Sequence, residues 1–582
     1  MTAIACLRPF VPFALLLCFG HAQEEPQKPQ KPQKPLTTRV YDVRDVVRIE
    51  PDYQPATAIE ASFVPTEREV REDRLQALDL GDAVTLAMMG SSPMYWEREG
   101  VELRPEDSGF LTVTCDAAMH QRVQQVLQQV RAMLFETVLV EVHEVPGDAL
   151  DGRPSVLSEA MADGLLAQLG EHRVHFGRAN VQRPLLLESK RTQNRIAGLG
   201  VRVAQGASAP QPEVATASYG SSWSVLATRT VGDALLVSVT GSDRALEEST
   251  SKRRVPTSND DGPAVLEFAA TRIATCHASA YLKPGQSMLV GTNAADGAAL
   301  CIRVRRAGAP VKDAIGELRA FSIRSLIAGA RRPAAVVLPG GEATLFPEIE
   351  SEPTPAVCDD GRLIEAITSQ VAPDSWDGDP NTLNARGGYL FAYTPSGDEV
   401  AEQVAAMLQK LQDLDARQYS LEVRFGKVAA DALRTRPDLL AEKLTQRCLT
   451  TVSASRGAQV SATRHTPYVR DFGAVMASAS AATYPEVGGF AEGFLMRGEI
   501  ANSGQGTVRL DLHLTTLSRG VETQPFNLEH PRIGAIDRVD VRENKVRGVA
   551  TVEVGEWTLL SVSPVEGGPG HVAVVARVSL LQ

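Results

Sequence analysis

The chain has 582 residues, of which 43% are hydrophobic, and its 71 acidic residues outnumber its 59 basic residues to give a net charge of −12. Single domains usually run to about 100–200 residues, so several domains are expected. The acidic balance is not relieved by a dense Lys/Arg stretch, which argues against nucleic-acid binding.

The N-terminus has the features of a secretory signal peptide. An arginine-led start precedes an apolar run over residues 10–20, and small residues stand at the −3 and −1 positions before Gln23. The run is about half of the roughly 20 apolar residues that a spanning helix requires, which disfavours an anchor. A lipoprotein signal with its lipid on Cys18 stays open, although three leucines precede that cysteine. We therefore expect residues 1–22 to be removed and the protein to be exported to the periplasm, outer membrane or cell surface.

Two of the seven cysteines lie inside the predicted signal peptide. The other five are scattered: Cys115, Cys276, Cys301, Cys358 and Cys448. An odd set without regular spacing is not a disulfide framework. One bridge, such as Cys276 to Cys301, could form in an oxidising compartment.

Composition divides the remaining chain into segments. Residues 23–36 form a Pro/Gln/Lys repeat that lacks core-forming residues and is typical of an extended, flexible tether. Residues 339–360 concentrate Pro, Gly and acidic residues, which indicates a linker. The predicted domains are an αβ domain over 37–135, a β domain over 136–338, a second αβ domain over 361–417 and a second β domain over 418–582. Within the first β domain, Ser242 to Pro263 is interpreted as a long polar loop.

The two halves repeat one order of elements. Pro93 and Trp96 follow a predicted helix over residues 83–88, and they recur 280 positions later as Pro373 and Trp376. A chance likeness of composition would not preserve this spacing. An internal repeat therefore explains the layout.

A strand, an amphipathic helix and a second strand follow in each half. Val123, Val126, Leu127 and Val130 are spaced to form one apolar helix face, and four apolar residues recur 281 positions later. The next strands contain Glu141 and Glu422, again 281 apart. Each helix is expected to pack on its sheet.

Farther along, each half turns to β-branched and small residues broken by Gly, which is typical of an antiparallel sheet. Matching segments here lie 273 and then 270 positions apart. The predicted fold class is therefore α+β: two tandem copies of a small αβ domain followed by a mostly antiparallel β domain, with a flexible N-terminal tether.

Several of these motifs resemble bacterial secretins and secretin-like proteins of type II and III secretion systems. The Tyr41 to Val47 segment, the Leu363 to Trp376 helix and turn, and the strand–helix block over residues 111–130 look like the ring-building periplasmic domains of that family. The Val-Glu strands, Pro467-Tyr468-Val469 and Pro284-Gly285-Gln286 resemble the secretin core. The resemblance implies a ring-building, non-enzymatic envelope protein.

The chain also departs from the family pattern. One ring-like unit and one core-like unit alternate twice, whereas secretins usually have several ring domains before one core. No Val-Pro-x-Leu-x-x-Ile-Pro-x-Leu-Gly stretch of the kind that closes the core and its membrane-facing lip is found. The prediction is a relative that keeps the fold and lacks the outer-membrane pore lip.

Enzyme signatures are not found. The sequence has no Gly-x-Ser-x-Gly elbow, phosphate-binding loop, His-Glu-x-x-His pair or Cys-x-x-Cys. His465, beside Thr466-Pro467, has no nucleophile identifiable by motif and is interpreted as a sheet residue. We predict no catalytic, cofactor or metal site, and the weaker hypothesis of an unrecognised enzyme site stays open.

Two polar clusters were considered as metal sites. His172 and His175 stand three apart beside Glu171, which on a helix would place two nitrogens on one face, but zinc needs further ligands. An acidic turn could offer oxygen ligands to calcium, from Asp374, Asp377, Asp379 and Asn381. Its spacing fails the EF-hand pattern, so a polar turn is the preferred interpretation.

The residues at equivalent places of the repeat are the ones we predict to matter structurally: Pro93, Trp96, Pro373, Trp376, Glu141 and Glu422. The tryptophans are interpreted as core plugs rather than as exposed ligand-binding rings. The preferred function is structural: an exported assembly protein of the cell envelope that associates with itself as a homo-oligomeric ring or with other envelope proteins. The alternative is a monomeric envelope module that binds a protein, peptide or glycan. Membrane contact stays open.

Overall fold

The fold is described from a computed structural model of the full chain. The structure describes residues 35–47, 52–53, 67–68, 80–81, 95, 98–106, 108–204, 207–255, 264–294, 297–308, 314–315, 318–327, 358–376, 381–386, 388–394, 398–429, 435–453, 456–477, 480–504, 506–519, 524–526, 536–565 and 570–581. The predicted signal peptide, nearly all of the tether, most of the linker and the predicted helix over residues 83–88 lie outside these ranges.

The described strands, in chain order, are β1 Thr37–Asp42, β2 Asp52–Tyr53, β3 Glu67–Arg68, β4 Glu102–Glu106, β5 Phe110–Cys115, β6 Thr137–Val145, β7 Val156–Leu157, β8 Val174–Asn180, β9 Pro184–Ala204, β10 Ala207–Arg229, β11 Leu235–Val255, β12 Ala264–Leu282, β13 Ser287–Thr292, β14 Ala299–Arg306, β15 Ala314–Ile315, β16 Leu318–Ser322, β17 Thr382–Arg386, β18 Tyr389–Tyr393, β19 Gln418–Ala429, β20 Gln446–Ser453, β21 Ala458–Ala477, β22 Ser480–Gly504, β23 Thr507–Arg519, β24 Gln524–Phe526, β25 Ile536–Arg538, β26 Val541–Glu553, β27 Trp557–Pro564 and β28 Gly570–Leu580.

The described α-helices are α1 Arg44–Val47, α2 Ala117–Leu134, α3 Glu159–Leu169, α4 Arg324–Ile327, α5 Asp360–Gln370, α6 Asp398–Asp415 and α7 Pro437–Lys443. Every strand pairing in the described ranges is antiparallel. The predicted α+β, mostly antiparallel class is therefore confirmed. No described helix is long and apolar enough to cross a membrane.

The first αβ unit packs α2 on the three-stranded sheet β1-β5-β4. Asp116 caps the helix by accepting hydrogen bonds from the backbone amides of Ala118 and Met119, which satisfies two of the free donors of the first turn. The predicted apolar face is confirmed, since Val123 and Val130 are 0% and 1% exposed. Burial of this face holds the helix on the sheet.

The second αβ unit packs α5 and α6 on the sheet β15-β16-β18-β17. Asp359 caps α5 by accepting from the Arg362 amide at 2.8 Å. The strand β16 precedes the predicted linker, yet it pairs with β18 along its whole length. Residues that sequence composition assigned to the first β domain thus complete the sheet of the second αβ unit.

The rest of the chain forms two large sheets. One has eight strands in the order β26-β23-β22-β21-β12-β11-β10-β9, and the other has nine, in the order β27-β28-β19-β20-β13-β14-β6-β8 with β7 against β13. Side chains from both sheets form one hydrophobic cluster, so the sheets pack face to face. Phe425 and Phe494 meet across it edge to face, with ring centroids 4.9 Å apart.

The prediction of a polar loop over Ser242 to Pro263 is wrong for most of that range. β11 continues to Val255 and pairs with β12, so only residues 256–263 lie between the two strands. Charged and hydroxyl residues follow one another here without an apolar alternation, so the sequence pattern favours a loop. Local polarity therefore hid a strand that is specified by its partner.

Candidate assembly interface

Both large sheets contain a seam where the first half of the chain meets the second. In the eight-stranded sheet, β12 pairs with β21 through seven opposed residue pairs. The Thr275 and Ser461 hydroxyl oxygens lie 2.6 Å apart, and the Thr463 hydroxyl donates to the Ile273 carbonyl at 3.2 Å. We call this contact the β12–β21 seam, and it joins the halves by both backbone and side chains.

The nine-stranded sheet has a second seam, between β13 and β20. Gly291 lies opposite Leu449, and the Thr292 hydroxyl donates to the Arg447 carbonyl at 2.7 Å. Leu449 is 1% exposed and belongs to a cluster of first-half residues that includes Leu289. A second-half side chain thus completes a hydrophobic cluster of the first half.

Glu422 lies beside this second seam and is surrounded by arginines. Its carboxylate is 2.7 Å from Arg447 Nε, 2.8 Å from Arg424 Nε and 2.7 Å from Arg577 Nη2. Arg447 Nη1 also donates to the Leu150 carbonyl of the first half at 2.6 Å. The glutamate therefore fixes an arginine that bridges the two halves.

The electrostatics of Glu422 follow from these contacts. Burial by itself raises the pKa of this carboxyl, since only 4% of its side chain is exposed, but Arg447, Arg424 and Arg577 together hold the pKa below its ordinary value. The group stays ionised at neutral pH. Its role in the described structure is to neutralise the buried Arg447 together with two more exposed arginines.

Glu141 occupies the matching place on β6, opposite Arg303 as Glu422 is opposite Arg577. Its surroundings differ, because its side chain is 24% exposed and its carboxylate is 3.3 Å from His143 Nε2. Burial lowers the pKa of His143, partly offset by Glu141. The two glutamates thus share a strand position but not a charge environment.

The predicted turn residues are only partly described. Pro93 and Trp96 lie outside the described residues. Pro373 is exposed and opens a single turn of 3₁₀ helix, while Trp376 is half-buried beside α5 and donates from Nε1 to the Val371 carbonyl at 2.6 Å. Trp376 therefore packs against the second αβ core, as a plug with one polar contact.

The histidine pair considered for zinc does not share a helix face. His172 lies in the turn after α3, with Nε2 2.9 Å from His143 Nδ1, whereas His175 lies on β8, with Nε2 3.1 Å from a Glu144 oxygen. The segment that contains both histidines forms a turn and a strand rather than a helix, because the chain reverses at Gly170, where φ is 64°. Among the described residues no group of three or more His, Cys, Asp or Glu side chains could hold a metal ion.

The acidic turn considered for calcium is also only partly described, because Asp377 and Asp379 lie outside the described ranges. Asp374 is exposed, and Asn381 is buried and donates from Nδ2 to the Ser375 carbonyl at 3.2 Å. The amide therefore closes the turn. His465 is a buried residue of β21, as its interpretation as a sheet residue predicts.

The five predicted mature cysteines are free thiols. Cys276 and Cys301, the candidate bridge, lie in different sheets and different hydrophobic clusters, so the bridge does not form. Burial raises the pKa of the Cys276 thiol to about 12 and that of Cys301 to about 11. Both side chains act as small apolar residues of the core.

Residues at the seams were missed by sequence reasoning. Arg447, Leu449 and Thr292 belong to no motif, and nothing in their local spacing indicates that they meet the other half of the chain. One signal could have found them: β8 pairs with β6 opposite Glu141 and β20 pairs with β19 opposite Glu422, although the glutamates lie 281 residues apart and the residues opposite them 273. A comparison of these two strands would have indicated that β20 lies where the two halves of the chain meet.

Neither a protein-family model nor a curated protein matches this chain. Solved secretin structures do. They include the InvG secretin-domain β-barrel of the Salmonella SPI-1 injectisome (11% identity over 46% of this chain and 88% of that chain, TM-score 0.24), GspD in the ETEC AspS–GspD pilotin–secretin complex (9%, 94% and 88%, TM-score 0.19) and Aeromonas hydrophila ExeD (10%, 94% and 91%, TM-score 0.19). The predicted resemblance to secretins is confirmed by these matches. At TM-scores of 0.19 to 0.24 and identities of 9% to 11% these matches support no function, which rests on this chain's own strand pairing.

Proposed function

We propose that this chain is an exported, non-enzymatic assembly protein of the bacterial cell envelope that builds a homo-oligomer through its sheets. The observation that carries the proposal is the pair of seams, where strands from one half extend sheets from the other. In each seam, a strand of the first half of the chain pairs with a strand of the second half. The same contact between chains would build a larger assembly.

The order of strands supports a duplicated unit. The eight-stranded sheet reads β9-β10-β11-β12 and then β21-β22-β23-β26, and the other reads β8-β6-β14-β13 and then β20-β19-β28-β27. In both sheets the second set follows the first head to tail. Gly220 and Gly493 also occupy matching places, with φ of 117° and 128°. Two copies of one four-plus-four-strand unit account for this order.

The αβ units support the same interpretation, with a revised boundary. β1 and α1 precede β4, β5 and α2 in the first, while β16 and α4 precede β17, β18 and α6 in the second. Val43 and Arg44 match Ile323 and Arg324, 280 positions later. The second αβ unit is therefore proposed to begin near Leu318 rather than at residue 361, with the linker as an insertion.

A head-to-tail arrangement leaves each sheet with two terminal strands that are paired on one side only. Within the described residues, β9 and β26 end one sheet, and β8 and β27 end the other. Exposed edge strands present unpaired backbone groups that invite another strand. Because the two ends of each sheet differ, they can serve as a heterologous pair, which closes into a ring when the rotation permits.

The alternative is a monomeric envelope module that binds a protein, peptide or glycan. It is favoured by one cleft of about 1060 Å³, whose lining includes the exposed charged residues Asp233, Lys283, Asp413 and Arg417. Charged groups in a cleft are suited to polar ligands such as peptides or glycans. In this case the sheet edges would stay uncovered.

The test is the mass of the protein expressed without residues 1–22, with and without membranes, by light scattering after detergent extraction. An assembly of many chains is the expected result, and resistance to SDS would strengthen it. A monomer of the mature size under both conditions would overturn the assembly function and favour the binding module. Turnover on a panel of hydrolase substrates would contradict the non-enzymatic assignment.

A further inference from the structure

The two ends of the eight-stranded sheet carry matched charges. At one end, Glu188 and Lys190 lie on β9 with side chains 29% and 27% exposed; the Lys190 Nζ is 2.5 Å from the Glu188 carboxylate, which also accepts from the Ser222 hydroxyl. At the other end, Glu543 and Lys545 are exposed on β26, 2.8 Å apart. Each edge thus presents one negative and one positive side chain on a single face, two residues apart.

The β12–β21 seam shows how such edges meet. β26 lies beside β23 as β12 lies beside β11, and β9 lies beside β10 as β21 lies beside β22. Aligning Gly220 with Gly493 fixes the register, because these glycines lie opposite Lys190 and Thr463. β26 then corresponds to β12 at a shift of 270 residues and β9 to β21 at a shift of 273.

This correspondence turns the seven internal pairs into seven pairs between chains. Thr275 opposite Ser461 becomes Lys545 opposite Glu188, and Ile273 opposite Thr463 becomes Glu543 opposite Lys190. Opposite charges therefore face each other twice, on the face where the Thr275 and Ser461 hydroxyls are in contact at 2.6 Å. A shift by one residue would break both ion pairs.

The opposite face fits as well. Cys276 and Val460 are 5% and 0% exposed in the core at the seam. Their counterparts, Val546 and Leu187, are half-buried at the two ends of the same core. Joining the edges would place these two side chains opposite each other and continue the core from one chain to the next.

The nine-stranded sheet has a complementary end. Phe176 on β8 is 61% exposed and holds the place of Leu449 on β20. Leu449 completes the cluster around α3, and the corresponding cluster around α7 includes Leu440, Val575 and Trp557 but lacks such a partner in the described chain. Phe176 of a second copy would supply it.

We infer that the partner of β9 is β26 of a second copy of this chain, paired in the register of the β12–β21 seam and selected by the Glu188–Lys545 and Lys190–Glu543 ion pairs. The inference rests on the proposed assembly function. One chain then provides two consecutive units of the assembly, and only every second contact lies between chains. The charges mark the contacts between chains, since the seam inside the chain has none at these two pairs.

The test is a charge swap on one edge. E188K/K190E keeps an ion pair within β9 but places like charges opposite Lys545 and Glu543, which is unfavourable across antiparallel strands. The chain concentration for half-assembly, measured by light scattering over a dilution series, should rise about tenfold or more. Adding E543K/K545E reverses the other edge and should restore wild-type assembly.

A matched control is the swap R470E/E486R, which reverses an ion pair of 3.1 Å between β21 and β22, inside the same sheet. Its assembly should equal that of the wild type. Circular dichroism and thermal melting establish that every variant is folded. This register is overturned if E188K/K190E assembles at the same concentration as the wild type, or if the four-residue swap does not restore the wild-type value. Either result leaves the assembly function standing. A monomeric wild type overturns both.

Cross-linking tests the register directly. S189C/N544C places two thiols at directly opposed positions between chains, so mild oxidation should give covalent multimers on non-reducing gels. S189C/K545C directs the second thiol to the opposite face and serves as the control. Equal cross-linking of both variants, or of neither, contradicts the pairing. The natural thiols at Cys115, Cys276, Cys301 and Cys448 are buried, and the half-buried Cys358 is replaced by serine in both variants.

Discussion

Phe176 and Leu449 lie at matching places, each opposite the glutamate of its neighbouring strand, yet Phe176 is 61% exposed and Leu449 is 1% exposed. The difference arises because β20 has a second partner, β13, whereas β8 ends its sheet. Val174 and Phe176, on one face of β8, are 47% and 61% exposed, so this edge carries a small apolar patch. Substitution of Leu449 therefore tests the stability of the chain, and substitution of Phe176 tests assembly between chains.

Replacing each of these residues by alanine should have opposite consequences. Leu449→Ala removes a fully buried side chain and should lower the free energy of unfolding by about 2–4 kcal/mol. Phe176→Ala should change the free energy of unfolding by less than about 0.5 kcal/mol at concentrations too low for assembly. At higher concentrations it should weaken assembly. Denaturant unfolding and light scattering measure the two effects. Equal destabilisation by both substitutions would contradict the assignment of β8 as a free edge.

Glu422 and Glu141 offer a second matched comparison. Glu422→Gln leaves Arg447 and two further arginines without their buried counter-charge and should cost about 3 kcal/mol or more. Glu141→Gln, at a more exposed place beside His143, should cost less than about 1 kcal/mol. The free energy of unfolding in urea measures both. Equal costs would show that the arginine cluster does not depend on Glu422.

Sequence reasoning found the elements whose pattern is local. The apolar spacing of Val123 to Val130 predicted α2, and the alternating strands before and after it were found as β5 and β6. The seams were not found, because a strand's partner is set by register and by the opposing side chains rather than by its own composition. The sheet partner of β16 was not found for the same reason: β18 lies beyond the predicted linker.

The candidate residues show the same division. Glu141 and Glu422 are predicted from repeat spacing alone, and each lies on a strand opposite an arginine, Arg303 and Arg577 respectively. Their different surroundings could not be predicted, because Arg447 reaches Glu422 from β20, a strand that borders the other half of the chain. Long-range neighbours therefore decide the charge environment of each glutamate.

Gly220 and Gly493 should be equally intolerant of a side chain. Both have positive φ, and a Cβ would lie 1.9 Å from the Ser189 carbonyl oxygen at the first and 2.0 Å from the Ala462 carbonyl oxygen at the second. Alanine at either place should cost more than about 2 kcal/mol, because backbone strain adds to the clash. Thermal melting measures the loss.

The control for these glycines is Gly164→Ala in α3, where an added Cβ meets nothing within 4 Å. This substitution should be neutral or stabilise the chain by up to about 1 kcal/mol, since alanine favours helix. If Gly220→Ala resembled Gly164→Ala, the tight approach of β9 to β10 would not be required. A loss at Gly493 alone would argue against equivalent units.

Acid should weaken the fold through His143. Burial lowers the pKa of this imidazole below 6.5, so the folded state favours the neutral form. Its contribution to stability is therefore fully present above pH 6.5 and is lost as the pH falls from there through the lowered pKa. The melting temperature should drop over this range, and His143→Gln should reduce the drop. The pKa of His513 is also lowered by burial, so His513→Gln should remove a separate part. A pH profile unchanged by either substitution would locate the acid-sensitive groups elsewhere.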